Sequence, residues 1–229
     1  MSLFEVDPAC VAAAEGAAPP SDTRARVSLF RRPIVDRLLT RTPPWLPLAV
    51  YAPLIGALVV WHASAGLSVV VPGALLGVLL WTLIEYFLHR FGLHLPQHTR
   101  AWRVAYFLVH GHHHAQPRDP ERLVASLPQS ALLLALVYGL ASLASTSLGL
   151  DRAHGNAPAA ALLAGTALGY VLYEAVHYAV HHTRSRPAIL RAIARHHLAH
   201  HADPSSRYGI STPLWDHVFR TLPKRDRAS

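Results

Sequence analysis

The stretch from Leu67 to His94 reads LSVVVPGALLGVLLWTLIEYFLHRFGLH. It is an apolar run long enough to cross a hydrocarbon core of about 30 Å, which takes roughly 20 helical residues. It ends in a glutamate and two histidines, Glu85, His89 and His94. At about 1.5 Å per residue the path from Pro72 to His89 covers roughly 26 Å, so these polar groups surface at one membrane face. Composition agrees, with 229 residues of which 52% are hydrophobic and 15% charged, and a mean hydropathy of +0.24. Such a balance excludes a disordered chain and an ordinary charged soluble domain.

Working outward, further apolar runs occur at 45–65, 129–150 and 158–180, so four runs pair into two hairpins and predict an all-α membrane protein. Lys plus Arg number 21 against 13 Asp plus Glu, for a formal charge of +8. Six cations precede the first run, five lie between the second and third, nine follow the fourth, and only Arg152 falls in an opposite loop. By the positive-inside rule both termini and the middle loop face the cytosol. The charge is thus a topology signal and a docking surface, without nucleic acid as a partner.

Residues 1–44 read as a cytosolic arm, disordered over the Ala- and Pro-rich 12–20 and basic from Arg24 to Arg41. Glu5 and Asp7 stand where a signal peptide would be positive. Residues 45–222 read as the membrane domain with a cytosolic helical cap, and 223–229 as a tail. Cys10 is the only cysteine, which excludes intrachain disulfides, thiolate zinc fingers and iron–sulfur clusters. A metal here needs nitrogen or oxygen ligands.

Seventeen histidines are present, and only His62 and His154 fall near the outer side. Ten form four clusters: His89 and His94; His110, His113 and His114; His177 and His181; His197, His200 and His201. Residues at i, i+3 and i+4 share a helix face, so His177 and His181 can meet one ion and each triplet can aim three imidazoles together. His89 and His94 diverge on a regular helix, so the second membrane helix is expected to end between them. One ion takes four to six ligands, and ten imidazoles imply two ions; nitrogen sites suit iron, zinc or copper alike. Glu85 and Glu174 stand one turn before a clustered histidine, placed to orient imidazoles. Tyr173 and Tyr178, with Trp81, Tyr86, Trp102, Tyr106 and Tyr170, read as an interfacial aromatic belt. Isolated histidines such as His98 and His217 are read as ordinary.

At these clusters the sequence resembles the fatty acid hydroxylase and sterol desaturase superfamily, most closely its fatty acid 2-hydroxylase branch. The resemblance runs from about Trp81 to Leu222. It is carried by 83–94, by 110–124 with Pro117, Asp119, Arg122, Leu123 and Val124, by 177–181, by 195–201, and by the tail YGISTPLWDHVF at 208–219. It implies a di-iron site at the cytosolic membrane face that activates O2 and hydroxylates an acyl chain at carbon 2. The implied ligands are the ten clustered histidines, which zinc can also occupy. Asp119, Asp216, Tyr173 and Tyr178 join Glu85 and Glu174 as candidates for orienting ligands or touching substrate. Family members often have Asp at the place of Glu174, and Pro-Pro where this chain has 125–128. Many carry a cytochrome b5 module with a His-Pro-Gly-Gly motif, whereas here no histidine precedes His62. A separate electron donor, a ferredoxin or cytochrome b5-like protein, is therefore expected.

The same histidines would serve carotenoid or aminolipid hydroxylation, or acyl or sterol desaturation. A metal transporter would want polar ligands at the bilayer midplane, and the runs show almost none. A haem cytochrome needs fewer histidines, and no His-Glu-x-x-His of a metalloprotease occurs.

Overall fold

The computed structural model describes residues 3–17, 26–184 and 187–223. Arg24, Arg186, part of the 12–20 stretch and most of the 223–229 tail lie outside them. Among the described residues every regular element is helical, and the one extended pairing is an isolated bridge between Val6 and Phe30. The helices are α1 Pro8–Ala14, α2 Pro33–Thr40, α3 Leu46–Trp61, α4 Leu67–Phe87, α5 Arg100–Tyr106, α6 His112–Ala115, α7 Leu127–Ser147, α8 Asp151–His154, α9 Ala157–His182, α10 Ala188–Ala202 and α11 Leu214–Val218. The chain folds as two compact units, one of 45–84 with 127–175 and one of 1–44, 85–126 and 176–229.

The first unit is the apolar one. Three helical stretches are long and apolar enough to cross a membrane: Leu67–Leu93, Leu127–Ser147 and Ala157–His182. The run expected over 45–65 forms only α3, 16 residues long, or about 24 Å of helix against a core of about 30 Å. It stops at His62, where a short 3-10 turn leads to Gly66 at φ 88°, a conformation glycine adopts without strain. The apolar window of α9 is 67% buried while those of α4 and α7 are 17% buried, which leaves leucines such as Leu75, Leu136 and Leu140 facing outward as lipid requires. Small residues let α4 and α9 touch backbone to backbone. A Cβ on Gly165 would stand 1.9 Å from the Ala74 carbonyl oxygen, and one on Gly77 2.2 Å from that of Leu162. In lipid, where apolar burial drives little association, such close packing is what holds helices together. Tyr51, Trp81, Leu134, Leu163 and Tyr170 fill the core of this unit, and the Tyr51 and Ser130 hydroxyls bond at 2.7 Å.

The second unit carries the ten clustered histidines. In its N-terminal arm, α1 runs to Ala14 with Pro8 in its first turn and Asp7 capping the Ala9 amide at 2.8 Å, so residues 12–14 of the stretch expected to be disordered are helical, while 18–20 lie outside the described residues. Cys10, Val27, Leu29 and Phe107 form its apolar core. The short-range reading of Ala and Pro content missed the tertiary partner, since Phe107 lies far along the chain from the arm.

Candidate metal centre

The end of α4 differs from expectation in a way that builds the site. The helix continues past His89 and widens into a π turn over Leu88–Leu93, with the His94 amide bonded to the His89 carbonyl at 3.1 Å. Five residues on an α-helix rotate a side chain by about 140°, whereas the i→i+5 closure of a π turn stacks the two positions. His89 and His94 thereby share a face. A second π turn, Phe107–Gly111, precedes α6 and delivers His110 to the same place.

The ten clustered histidines converge as two groups of five, His89, His94, His110, His114 and His200 in one, and His113, His177, His181, His197 and His201 in the other. Within each group the ligand atoms all lie within 4.8 Å of one another. Each triplet is divided rather than aimed together. Residues at i and i+4 stay paired, His110 with His114 and His197 with His201, while the residue between them, His113 or His200, turns to the other group. The groups are adjacent, with the His114 and His201 rings 4.4 Å apart.

Nearest Nε2 atoms stand 2.9 to 3.2 Å apart in both groups. Donors about 2.1 Å from one ion and at right angles around it would be about 3.0 Å apart. Proton placement leads the same way. His89 Nδ1 donates to the Tyr208 carbonyl at 2.6 Å and His200 Nδ1 donates to the Ser206 carbonyl at 2.7 Å. Each therefore turns an unprotonated Nε2 inward. His94 Nε2 lies 3.2 Å from the first and 2.9 Å from the second, and a single proton on it can satisfy only one of them. A cation removes that conflict. Burial, then the neighbouring imidazoles, push His94 down to about 3, His114 to about 2 and His201 to about 4. These rings are neutral, the form a metal ion takes. The residues fit a two-metal centre of nitrogen ligands.

A model of the fatty acid hydroxylase family matches residues 74–221. The chain belongs to this family. It is 37% identical over 188 residues to a dihydroceramide fatty acyl 2-hydroxylase of Arabidopsis thaliana, covering 81% of this chain and 76% of that protein. Over 152 residues it is 38% identical to a fatty acid 2-hydroxylase of Homo sapiens, covering 65% of this chain but 38% of that longer protein. Among solved structures it is similar to full-length scs7p, of which only the hydroxylase domain is visible, with a TM-score of 0.71, 30% identity, and coverage of 88% of this chain and 74% of that one.

Relative to the ten converging histidines, the other candidates fall at different distances. Glu85 does not address His89 directly. It accepts from the amides of Ile210 at 2.5 Å and Ser211 at 2.7 Å and from the Ser211 hydroxyl, and so holds the loop whose Tyr208 carbonyl meets His89. Asp216, fully buried, accepts from the amides of Tyr208 at 2.8 Å and Gly209 at 2.9 Å and from His196 Nε2 at 3.0 Å. Asp119 lies 3.0 Å from Arg26 Nε and belongs to the docking of the arm. Tyr173 packs on Trp81 at 5.6 Å between ring centroids, inside the apolar unit, and the buried Glu174 lies in that unit near Tyr170. Tyr178 stacks on His182 at 4.4 Å. His112 Nδ1 donates to the Phe107 carbonyl at 2.9 Å; it, His182 and His196 stand outside both groups. The Ser206 and Tyr208 carbonyls were beyond sequence reasoning, because main-chain acceptors carry no residue signature. The conspicuous 208–219 tail was the one pointer to their loop.

Proposed function

We propose that this chain is a membrane-embedded, O2-dependent di-iron hydroxylase that adds a hydroxyl group at carbon 2 of a fatty acyl chain. The observation that carries this reading is the convergence of ten histidines as two adjacent groups of five in a chain of the fatty acid hydroxylase family. The relatives named as fatty acyl or fatty acid 2-hydroxylases support carbon 2 as the position. All-nitrogen sites accept iron, zinc or copper; C–H oxidation with O2 needs a redox-active metal, which excludes zinc, and the family resemblance favours iron over copper.

In this reading the five histidines of each group hold one iron. Bound there, the irons supply the reduction of O2 by two electrons and two protons, which gives one hydroxylated carbon and one water. The protein does the remainder. Nδ1 protons on His89 and His200, fixed by loop carbonyls, keep Nε2 free for metal. The burial of His89, His110, His113, His177, His197 and His200 excludes bulk water. The apolar helices suit a lipid substrate, and carbon 2 of an acyl chain lies next to its polar head, at the interfacial depth that helix rise gives for His89. Four membrane passes, with α3 as a short fourth, would put both termini and the metals on the cytosolic side, as the arginine distribution favours. That basic face favours an acidic electron carrier of ferredoxin or cytochrome b5 type as donor.

Lipid mass spectrometry of a host with and without the gene tests the reading, together with metal analysis of the purified chain. The expected result is an acyl lipid gaining one oxygen at carbon 2, and iron at one ion per histidine group. Zinc alone with an unchanged lipid profile would refute it and favour metal handling.

A further inference from the structure

Two of the five histidines in the first group lean on a segment without regular structure. His89 and His200 donate from Nδ1 to the carbonyls of Tyr208 and Ser206, at 2.6 and 2.7 Å. Both carbonyls belong to the loop between α10, which ends at Ala202, and α11, which starts at Leu214. No helical hydrogen-bond ladder fixes a carbonyl there, so its position depends on whatever fastens the loop.

Two buried carboxylates do so. Glu85, 4% exposed, accepts from the Ile210 and Ser211 amides and the Ser211 hydroxyl. Asp216, 0% exposed, accepts from the Tyr208 and Gly209 amides, the Thr221 hydroxyl at 2.5 Å and His196. Burying a carboxylate is costly unless its oxygens are this fully bonded. Arg207 in the loop sits at φ 59°, a conformation a free chain rarely adopts, and the loop folds back too closely at Gly209 for a side chain, a Cβ there standing 2.2 Å from the Thr212 carbonyl oxygen. Glu85 stands one helical turn before His89 on the same helix, so the element that presents the ligand also presents the acceptor that fixes its carbonyl partner. The second group is placed otherwise: His177 and His181 ride on α9, His197 and His201 on α10, and His113 on α6.

We infer that Glu85 and Asp216 are positioning residues for one of the two metals, the one held by His89, His94, His110, His114 and His200, and that they act through the 206–211 loop. This rests on the proposed reading of ten histidines holding two ions. Loosening the loop frees two imidazoles of the first group to rotate and leaves the helix-borne second group in place. The two metals are therefore separable: one depends on the loop and the other does not.

The test uses the full chain in detergent micelles loaded with ferrous iron, with metal per chain and chelator-release kinetics as readouts. Glu85→Ala and Asp216→Ala are expected to lose one of the two metals. Glu85→Gln, which keeps an acceptor oxygen for both amides, is expected to keep both. Ser211→Ala removes a single donor to Glu85 and guards against outright unfolding. In it, release of one metal should quicken by about tenfold or more, the usual effect of altering a group behind a ligand, while the other release rate stays unchanged. Loss of both metals together in a protein of unchanged helicity, equal quickening of both phases, or no change in any variant would overturn the inference. The readout is metal, so a chain that binds two ions yet forms no 2-hydroxylated lipid would count against the proposed function alone. A wild-type chain that binds no metal would overturn both.

Discussion

The guanidinium of Arg122 lies 3.0 Å from the carboxylate of Asp36, across 86 positions of sequence, with both side chains 2% exposed. Around this pair the N-terminal arm is tied down. Asp36 also accepts from the Leu29 amide at 2.8 Å and from Arg41 Nη2 at 2.6 Å, while Arg122 donates to the Val27 carbonyl. Leaving one member of a buried pair alone costs more than the pair itself contributes. Asp36→Ala is expected to destabilise the docked arm by about 3–5 kcal/mol, and the double variant with Arg122→Met should recover part of that loss. Limited proteolysis of the arm, followed against denaturant, measures both.

The pH dependence follows from the same carboxylate. Burial alone would raise the Asp36 pKa, but the Leu29 amide, Arg41 and Arg122 outweigh it and hold it below the ordinary 3.8. A group whose folded pKa is depressed adds stability above its unfolded pKa, and that stability is lost as pH falls through the folded value. The arm should stay docked at pH 5 and release as the pH drops below about 4. Asp36→Asn should flatten this acid-side transition in a proteolysis or fluorescence titration; an unchanged transition would assign it to other carboxylates.

Cys10 reports on the same docking. It is 0% exposed, and burial pushes its thiol up to about 12. Thiol reagents act on the exposed thiolate, so maleimide at neutral pH should leave the native chain unlabelled for hours and label Asp36→Ala within minutes. Rapid labelling of the wild type would show that the arm opens freely.

What could be read from the residues beforehand follows from how far each signal acts. The apolar runs and the i, i+3, i+4 histidine spacings are local, so the helices and the ten converging imidazoles were legible. The division of each triplet was not, because it depends on two centres flanking one helix, with His113 and His200 turning away from their neighbours. The His89 to His94 spacing looked like a helix end because a π turn has no simple sequence signature. Disorder was read over 12–20 from composition, which carries no sign that Ala13 and Ala14 pack against a cluster containing Phe107, far along the chain. Glu85 was read as orienting the imidazole one turn on, whereas its partners, the amides of Ile210 and Ser211, lie 125 and 126 positions away.

Gly165 sits against Ala74 with no room for a side chain, a Cβ standing 1.9 Å from the Ala74 carbonyl oxygen. Backbone cannot yield as a flexible side chain would. Gly165→Leu should cost about 3 kcal/mol or more and lower the thermal midpoint in detergent. Gly139→Leu, at a position on α7 where a Cβ meets nothing within 4 Å, should be near neutral. Equal effects would mean that the α4 and α9 contact does not carry the packing of the apolar unit.

Neighbouring histidines provide the sharpest contrast. His113 lies in the second group with its Nε2 3.2 Å from that of His177, whereas His112 donates to the Phe107 carbonyl and stands outside both groups. In the proposed assignment His113→Ala removes one of five ligands to one ion. Replacing a group behind a ligand already costs about 10–100-fold in affinity or activity, so loss of the ligand itself should exceed about a hundredfold in turnover and leave one metal depleted. His200→Ala should do the same to the other ion. His112→Ala removes a ring that bonds main-chain groups of Phe107 and Arg122 and faces neither group, and it should keep both metals. Metal content of the three purified variants decides the matter: retention of both ions in His113→Ala, or their loss in His112→Ala, would reverse the assignment of which imidazoles face the metals.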